Sequence, residues 1–222
     1  MNKKSLVLFF LITFYSCGDD SSSSSSSDNK IGGCVLTTVR ALPGSNLKAV
    51  SSVSATDGSA TYAPFTKILT SYGTTLLSIA SVSDSFVSDI GNTIEEMFDA
   101  TTSTDSTIQN TFIENSYKYA STIPLFIATD FNNFDFKNSK DNNSICDTIS
   151  AGQESRNTQV LEIMEHILHI MTDVGLHYTY PNDWGLTTSS TLYTCMQEAI
   201  TANYFNASSY DNMDPEVKDR VK

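Results

Sequence analysis

Pro64 to Asp99 reads PFTKILTSYGTTLLSIASVSDSFVSDIGNTIEEMFD, and how this stretch is read decides the fold. Its apolar residues Ile68, Leu69, Tyr72, Leu76, Ile79, Ala80, Phe86, Val87, Ile90, Ile94, Met97 and Phe98 recur at the spacing of a buried helix face. The pattern predicts one long core helix, or two broken near Gly73 or around Ser81 to Ser85. A helix capped by Asp105 or Ser106 follows, carrying Ile108, Phe112, Ile113 and Tyr117. Ile123 to Ala128, IPLFIA, is short, branched and aromatic, and predicts a buried strand or extended segment. Asp130 to Ser144 reads as a surface loop, and Ile31 to about Ala60 as loop with one short strand at most. Thr188 or Ser189 is placed to cap a last helix through Leu192, Cys195, Met196, Ala199 and Ile200. The resulting expectation is a mainly α fold, with α+β as the alternative: one helical domain with at most a small sheet.

Functional chemistry concentrates in Val160 to His177, VLEIMEHILHIMTDVGLH, which holds all three histidines of the protein. Asn157 is a good cap for a helix over this stretch, and Gly175 is placed to stop it near Val174. At about 100° per residue, Glu162, Glu165, His166, His169 and Asp173 fall on one stripe. Apolar residues fill most of the remaining circumference, so the expectation is a helix buried on nearly every side except that stripe. A solvated face normally mixes in Lys, Arg, Gln or Ser. Every member here is Glu, His or Asp, which are metal ligands and proton-transfer groups. No Lys or Arg occurs between Arg156 and Lys218. Past the helix, His177, Tyr178, Tyr180, Pro181, Asp183 and Trp184 form an aromatic turn, either the wall of a cleft or a packed corner.

The chain opens with Asn2, Lys3 and Lys4, then the apolar run Leu6 to Phe14, Tyr15, Ser16 and Cys17. This is the pattern of a secretory signal, too short for a membrane span. Cys17 after a small residue resembles the lipobox of bacterial lipoproteins, which implies acylation of Cys17 and a bacterial cell-envelope location facing the periplasm or cell surface. A cleaved signal with an unlipidated Cys17 is the alternative. The serine run Ser21 to Ser27 with its flanking Asp and Asn reads as a flexible tether. The expected organisation is therefore signal peptide 1–16, lipid-anchored linker 17–30 and one domain 31–222, opened at its far end by Asp214 and Pro215 into the start of another helix. That domain is either whole or cut short there.

The formal net charge of −12 argues against nucleic acid as a partner. If Cys17 carries lipid, Cys34, Cys146 and Cys195 remain, and Cys146 with Cys195 is the preferred disulfide. No short CxxC spacing offers a cysteine zinc site, and no GxSxG offers a nucleophilic hydrolase.

Glu165 to His169, EHILH, resembles the helical motif of zincin-type zinc metallopeptidases, here with the glutamate before the first histidine and the histidines three apart. The resemblance implies zinc held by His166 and His169, with Glu165 or Glu162 as the base that activates water. Asp173 or His177 would serve as a third ligand or orienter, and IPLFIA as the edge strand that holds a peptide or protein substrate. Two other readings stay open: a metal-binding lipoprotein without catalysis, and a structural or interaction lipoprotein whose seam holds no metal.

Overall fold

The computed structural model describes residues 39–98, 105–128, 130–145, 148–151, 156–185 and 188–204. They build an α/β fold around a five-stranded mixed sheet, which overturns the mainly helical expectation. The strands are β1 (Ser54–Ala55), β2 (Lys67–Ser71), β3 (Thr74–Ser78), β4 (Thr122–Ile127) and β5 (Ile149–Ala151), and they lie side by side in chain order. β1, β2 and β3 pair antiparallel, whereas β3, β4 and β5 run parallel.

The expected long helix over Pro64 to Asp99 is instead a hairpin followed by one helix, α1 (Asp84–Phe98). Tyr72 and Gly73 form the two-residue turn, both at positive φ, 48° and 78°. That left-handed pair matches the twist of the strands it joins. Gly73 is required there for a second reason: a Cβ would stand 2.2 Å from the Ile113 carbonyl oxygen. The misreading has a physical source. Every residue of β3 is buried, because both faces of the sheet are covered, so Leu76 and Leu77 stand together with no alternation to mark a strand. Ser83 caps α1 by accepting from the Phe86 amide at 3.2 Å. Val87, Ile90, Ile94 and Phe98 then face the core.

The crossover from β3 to β4 passes through α1 and α2 (Ser106–Lys118), the latter capped by the Asp105 carboxylate. Leu69, Leu76, Ile123 and Leu125 share one face of the sheet by register and alternation. Phe126 points to the other, where Phe65, Phe131, Phe134 and Phe136 surround it with ring centroids 5.3–6.3 Å away. Phe131 and Phe136 come from the stretch read as a surface loop, which contains a 3-10 turn (Asp130–Asn133) and α3 (Lys137–Asn142). IPLFIA is thus an interior strand, paired on both sides. That corrects the edge-strand expectation, and the reason is again burial on both faces, typical of parallel strands.

The second half is helical: α4 (Arg156–Ile170), a π-helical segment (Met171–Leu176), α5 (His177–Thr179), α6 (Pro181–Trp184) and α7 (Thr191–Thr201). Ser190, rather than Thr188 or Ser189, caps α7. Gly175 does not stop the helix, as its position predicts, but lies inside the π-helical segment. A Cβ on it would meet the Phe112 ring at 3.2 Å, so its role is close packing against α2. Its carbonyl accepts from Thr179 Oγ1 at 2.6 Å, and Asn115 Nδ2 donates to Thr179 Oγ1 at 3.0 Å. These bonds serve a carbonyl in the widened turn.

Candidate functional site

The acid and histidine stripe does not form the solvent face of α4. Taking His166 as zero and about 100° per residue, Glu162 lies near −40°, His169 near −60° and Glu165 near −100°, and Asp173 follows in the π-helical segment. Exposure rises along that arc. His166 is 4% exposed and Asp173 is buried, whereas the side chains of His169 and Glu165 are 24% and 29% exposed. Ile163, Ile167 and Ile170, between about +40° and +100°, are buried in the core. The outermost arc, from about −140° to −200°, is apolar: Leu161 and Leu168 are each 53% exposed and Met164 39%. The polar stripe therefore straddles the boundary between core and solvent. Periodicity located the stripe correctly and assigned the wrong face to water, because α1 packs against α4 and the isoleucines join the core.

His166 Nδ1 lies 2.7 Å from the Glu162 carbonyl oxygen, one turn back along α4. A ring nitrogen facing a carbonyl must donate, so in the neutral ring the proton sits on Nδ1 and the lone pair on Nε2. His169 Nε2 stands 3.8 Å from Glu165 Oε1, a loose pair on the partly open side. Thr172 Oγ1 has three acceptors within reach of its one proton, the Leu168 and His169 carbonyls at 3.0 and 3.1 Å and Asp173 Oδ1 at 3.3 Å. Asp173 is buried inside the π-helical segment.

His177, one of the expected ligands or orienters, is buried beside the Tyr178 ring, edge to face at 4.6 Å. Burial pulls its imidazole below the usual histidine value. Tyr178 stacks on Tyr119 with centroids 3.5 Å apart and planes within 7°. Burial, reinforced by Tyr119, pushes the Tyr178 hydroxyl up to about 12, and burial also raises Tyr119. The aromatic turn is thus a packed corner at His177 and Tyr178, while Tyr180 and Trp184 are exposed. Sequence reading missed Tyr119, which ends α2 and meets Tyr178 only through tertiary packing.

A second feature unseen in the sequence is a cleft of about 230 Å³ among α1, α2, α4 and the π-helical segment. Met97, Phe98, Ile108, Phe112, Ile167 and Met171 line it. Gln109 borders it with both ends of its amide committed, donating to the Phe98 carbonyl at 2.6 Å and accepting from Lys48 at 3.2 Å. Asp105, whose carboxylate caps α2, also lines it, so its walls are mostly apolar with an acid at one end.

Among the described residues no three His, Cys, Asp or Glu side chains are grouped closely enough to hold a metal ion. Cys195 is an exposed free thiol, and Cys146, its preferred partner, lies outside the described residues. Cys17, Cys34 and Cys146, the signal, the linker and the segment from Phe205 onward lie outside the described residues. Among the described residues no helix is long and apolar enough to cross a membrane. No family model, curated protein or solved structure matches the chain.

Proposed function

We propose that this protein is an exported domain, tethered through a lipid on Cys17, that binds a divalent transition metal ion on α4 and acts as a zinc-dependent hydrolase of peptide or protein. The observation that carries the metal reading is the bond from His166 Nδ1 to the Glu162 carbonyl at 2.7 Å. Ligating histidines are commonly held in this way, with one ring nitrogen donating to a carbonyl and the other left with its lone pair. His169 supplies a second imidazole at the same edge of the helix, with Glu165 beside it. Imidazole nitrogen is an ordinary zinc ligand, and Glu165 does not complete a three-donor group with the two histidines.

The donor set is short of a catalytic centre within the described residues. A catalytic zinc keeps three protein ligands, and Asp173 and His177 do not join the pair in a three-donor group. His166 and His169 are thus the proposed ligands, Glu165 ahead of Glu162 is the proposed base, and no step of hydrolysis follows from this geometry. When bound, zinc would supply a Lewis acid and a water of lowered pKa. This chain's own part is to fix the His166 tautomer and hold Glu165 at the open edge.

Metal analysis by mass spectrometry tests the reading on protein purified without chelator or affinity histidines, beside His166→Ala/His169→Ala. The expected result is about one zinc per chain, lost in the double variant. A chain that stays metal-free after zinc is added back contradicts it.

A further inference from the structure

The cleft among α1, α2 and α4 joins apolar depth to a charged end. Ile167 and Phe98, both buried, line it together with the half-buried Met97, Phe112 and Met171. Gln109, the buried polar residue of the lining, is already bonded at both ends of its amide. Water needs several polar partners to settle in a cavity, so this one hydrates poorly and favours an apolar occupant. At about 230 Å³ it is about half as large again as the roughly 150 Å³ apolar cavity that takes benzene. That room suits an aromatic ring with a short chain, and the two methionines can adapt to its outline.

Asp105 sets the character of the charged end. Its Oδ1 accepts from the Thr107 and Ile108 amides at 2.9 and 3.2 Å, which holds the carboxylate in place. Among the described residues no cation pairs with it. The last turn of α1, which brings Met97 and Phe98 to the cleft, carries the exposed Glu95 and Glu96 and no basic residue. The carbonyl end of that helix adds to the negative potential. Lys48, the opposing charge at this border, donates to Gln109 Oε1.

We propose that this cleft binds a small cationic amphiphile, an aromatic or branched apolar body carrying one primary ammonium that pairs with Asp105. Met171 also opens the π-helical segment, and such widened turns recur at functional sites. The site uses neither His166 nor His169, so it stands apart from the metal proposal.

Titration of the full-length protein with phenethylamine, phenethyl alcohol and hydrocinnamate tests it, because the three share one apolar body and differ in charge. Methionine methyl resonances are the readout: Met97 and Met171 report the cleft, while Met164 and Met196, which do not line it, are controls. The expected result is saturable shifts at Met97 and Met171 alone. Phenethylamine should bind about threefold more tightly than the alcohol, as a partly exposed ion pair allows, and hydrocinnamate most weakly. Asp105→Asn keeps a capping side chain and should erase the amine's advantage without weakening the alcohol. Met171→Trp, read at Met97, should block all three, and Ile108→Trp supplies the same block if that variant misfolds. Equal affinity for the three probes, or an amine advantage that survives Asp105→Asn, would overturn the proposal. So would tighter binding of hydrocinnamate, which would make Lys48 the anchor, or shifts that reach Met164 and Met196 equally, which would mean adsorption on exposed apolar surface. Absence of any saturable shift would overturn it as well, since the cleft would then be closed to solutes.

Discussion

A buried histidine and a half-buried tyrosine make the stability of this domain depend on pH from opposite ends. Burial lowers the His177 pKa in the folded state from its ordinary 6.5. As pH falls below about 6.5, the unfolded chain takes up this proton first, and stability drops until the lowered folded value is passed. Denaturant titrations between pH 7.5 and 4.5 should show that decline, and His177→Gln should flatten it. A slope equally steep in the variant would mean that other groups cause it. Tyr178 acts at the alkaline end. Its hydroxyl, ordinarily near 10, is raised to about 12 in the folded state, so the unfolded chain loses its proton first and stability falls as pH rises from 10 toward 12. Tyr178→Phe should remove that loss, and absorbance titration of the tyrosinates should show one group fewer ionising late. Neither shift was legible in the sequence. His177 and Tyr178 were recognisable as an aromatic corner, but burial and the Tyr119 stack depend on α2, whose end lies 59 positions from Tyr178.

Among the elements, the β2–β3 hairpin and the π-helical segment carry the sharpest consequences. Gly73→Ala would place a methyl 2.2 Å from a backbone oxygen at a φ of 78°, so it should cost about 2 kcal/mol or more. Thermal unfolding would measure that cost, and a loss under 0.5 kcal/mol would contradict the turn and its contact with α2. Gly175→Val presses a branched side chain into the Phe112 ring and should lose about 1–3 kcal/mol by overpacking. A glycine that merely stopped a helix would tolerate the change far better. The orientation of α4 is tested by Ile167→Ala against Glu165→Ala: the first should cost about 2–5 kcal/mol, the second under about 1 kcal/mol. The sequence revealed α2, α4, α7 and the strand at IPLFIA because each has one dominant period or a short apolar run between polar ends. It hid β2 and β3, since adjacent buried residues such as Leu76 and Leu77 satisfy a helix and a doubly covered strand equally well.

At the scale of the whole molecule, a mixed sheet with α1 and α2 in its central crossover gives α4 one committed side and one edge. Ile163, Ile167 and Ile170 fix the committed side, which places His166 at the boundary and His169 and Glu165 just beyond it. The residue types of the candidate site were legible as a composition, an acid and histidine stripe without a cation. What the sequence could not show was depth, because depth depends on which neighbour the isoleucines choose. The same arrangement exposes Leu161, Met164 and Leu168, which a helix buried everywhere except its polar stripe would have hidden. Neutral histidine is the form that ligates, so metal affinity should fall as pH drops from 7.5 to 5.5, and equilibrium dialysis with zinc should show it. Affinity that did not change over that range would argue against imidazole ligands.

The most direct test of the central claim is zinc stoichiometry by mass spectrometry on the intact protein, with and without His166→Ala/His169→Ala. About one zinc per chain in the first and none in the second is the predicted result. An empty chain after zinc has been added back, or equal zinc in both proteins, would contradict it.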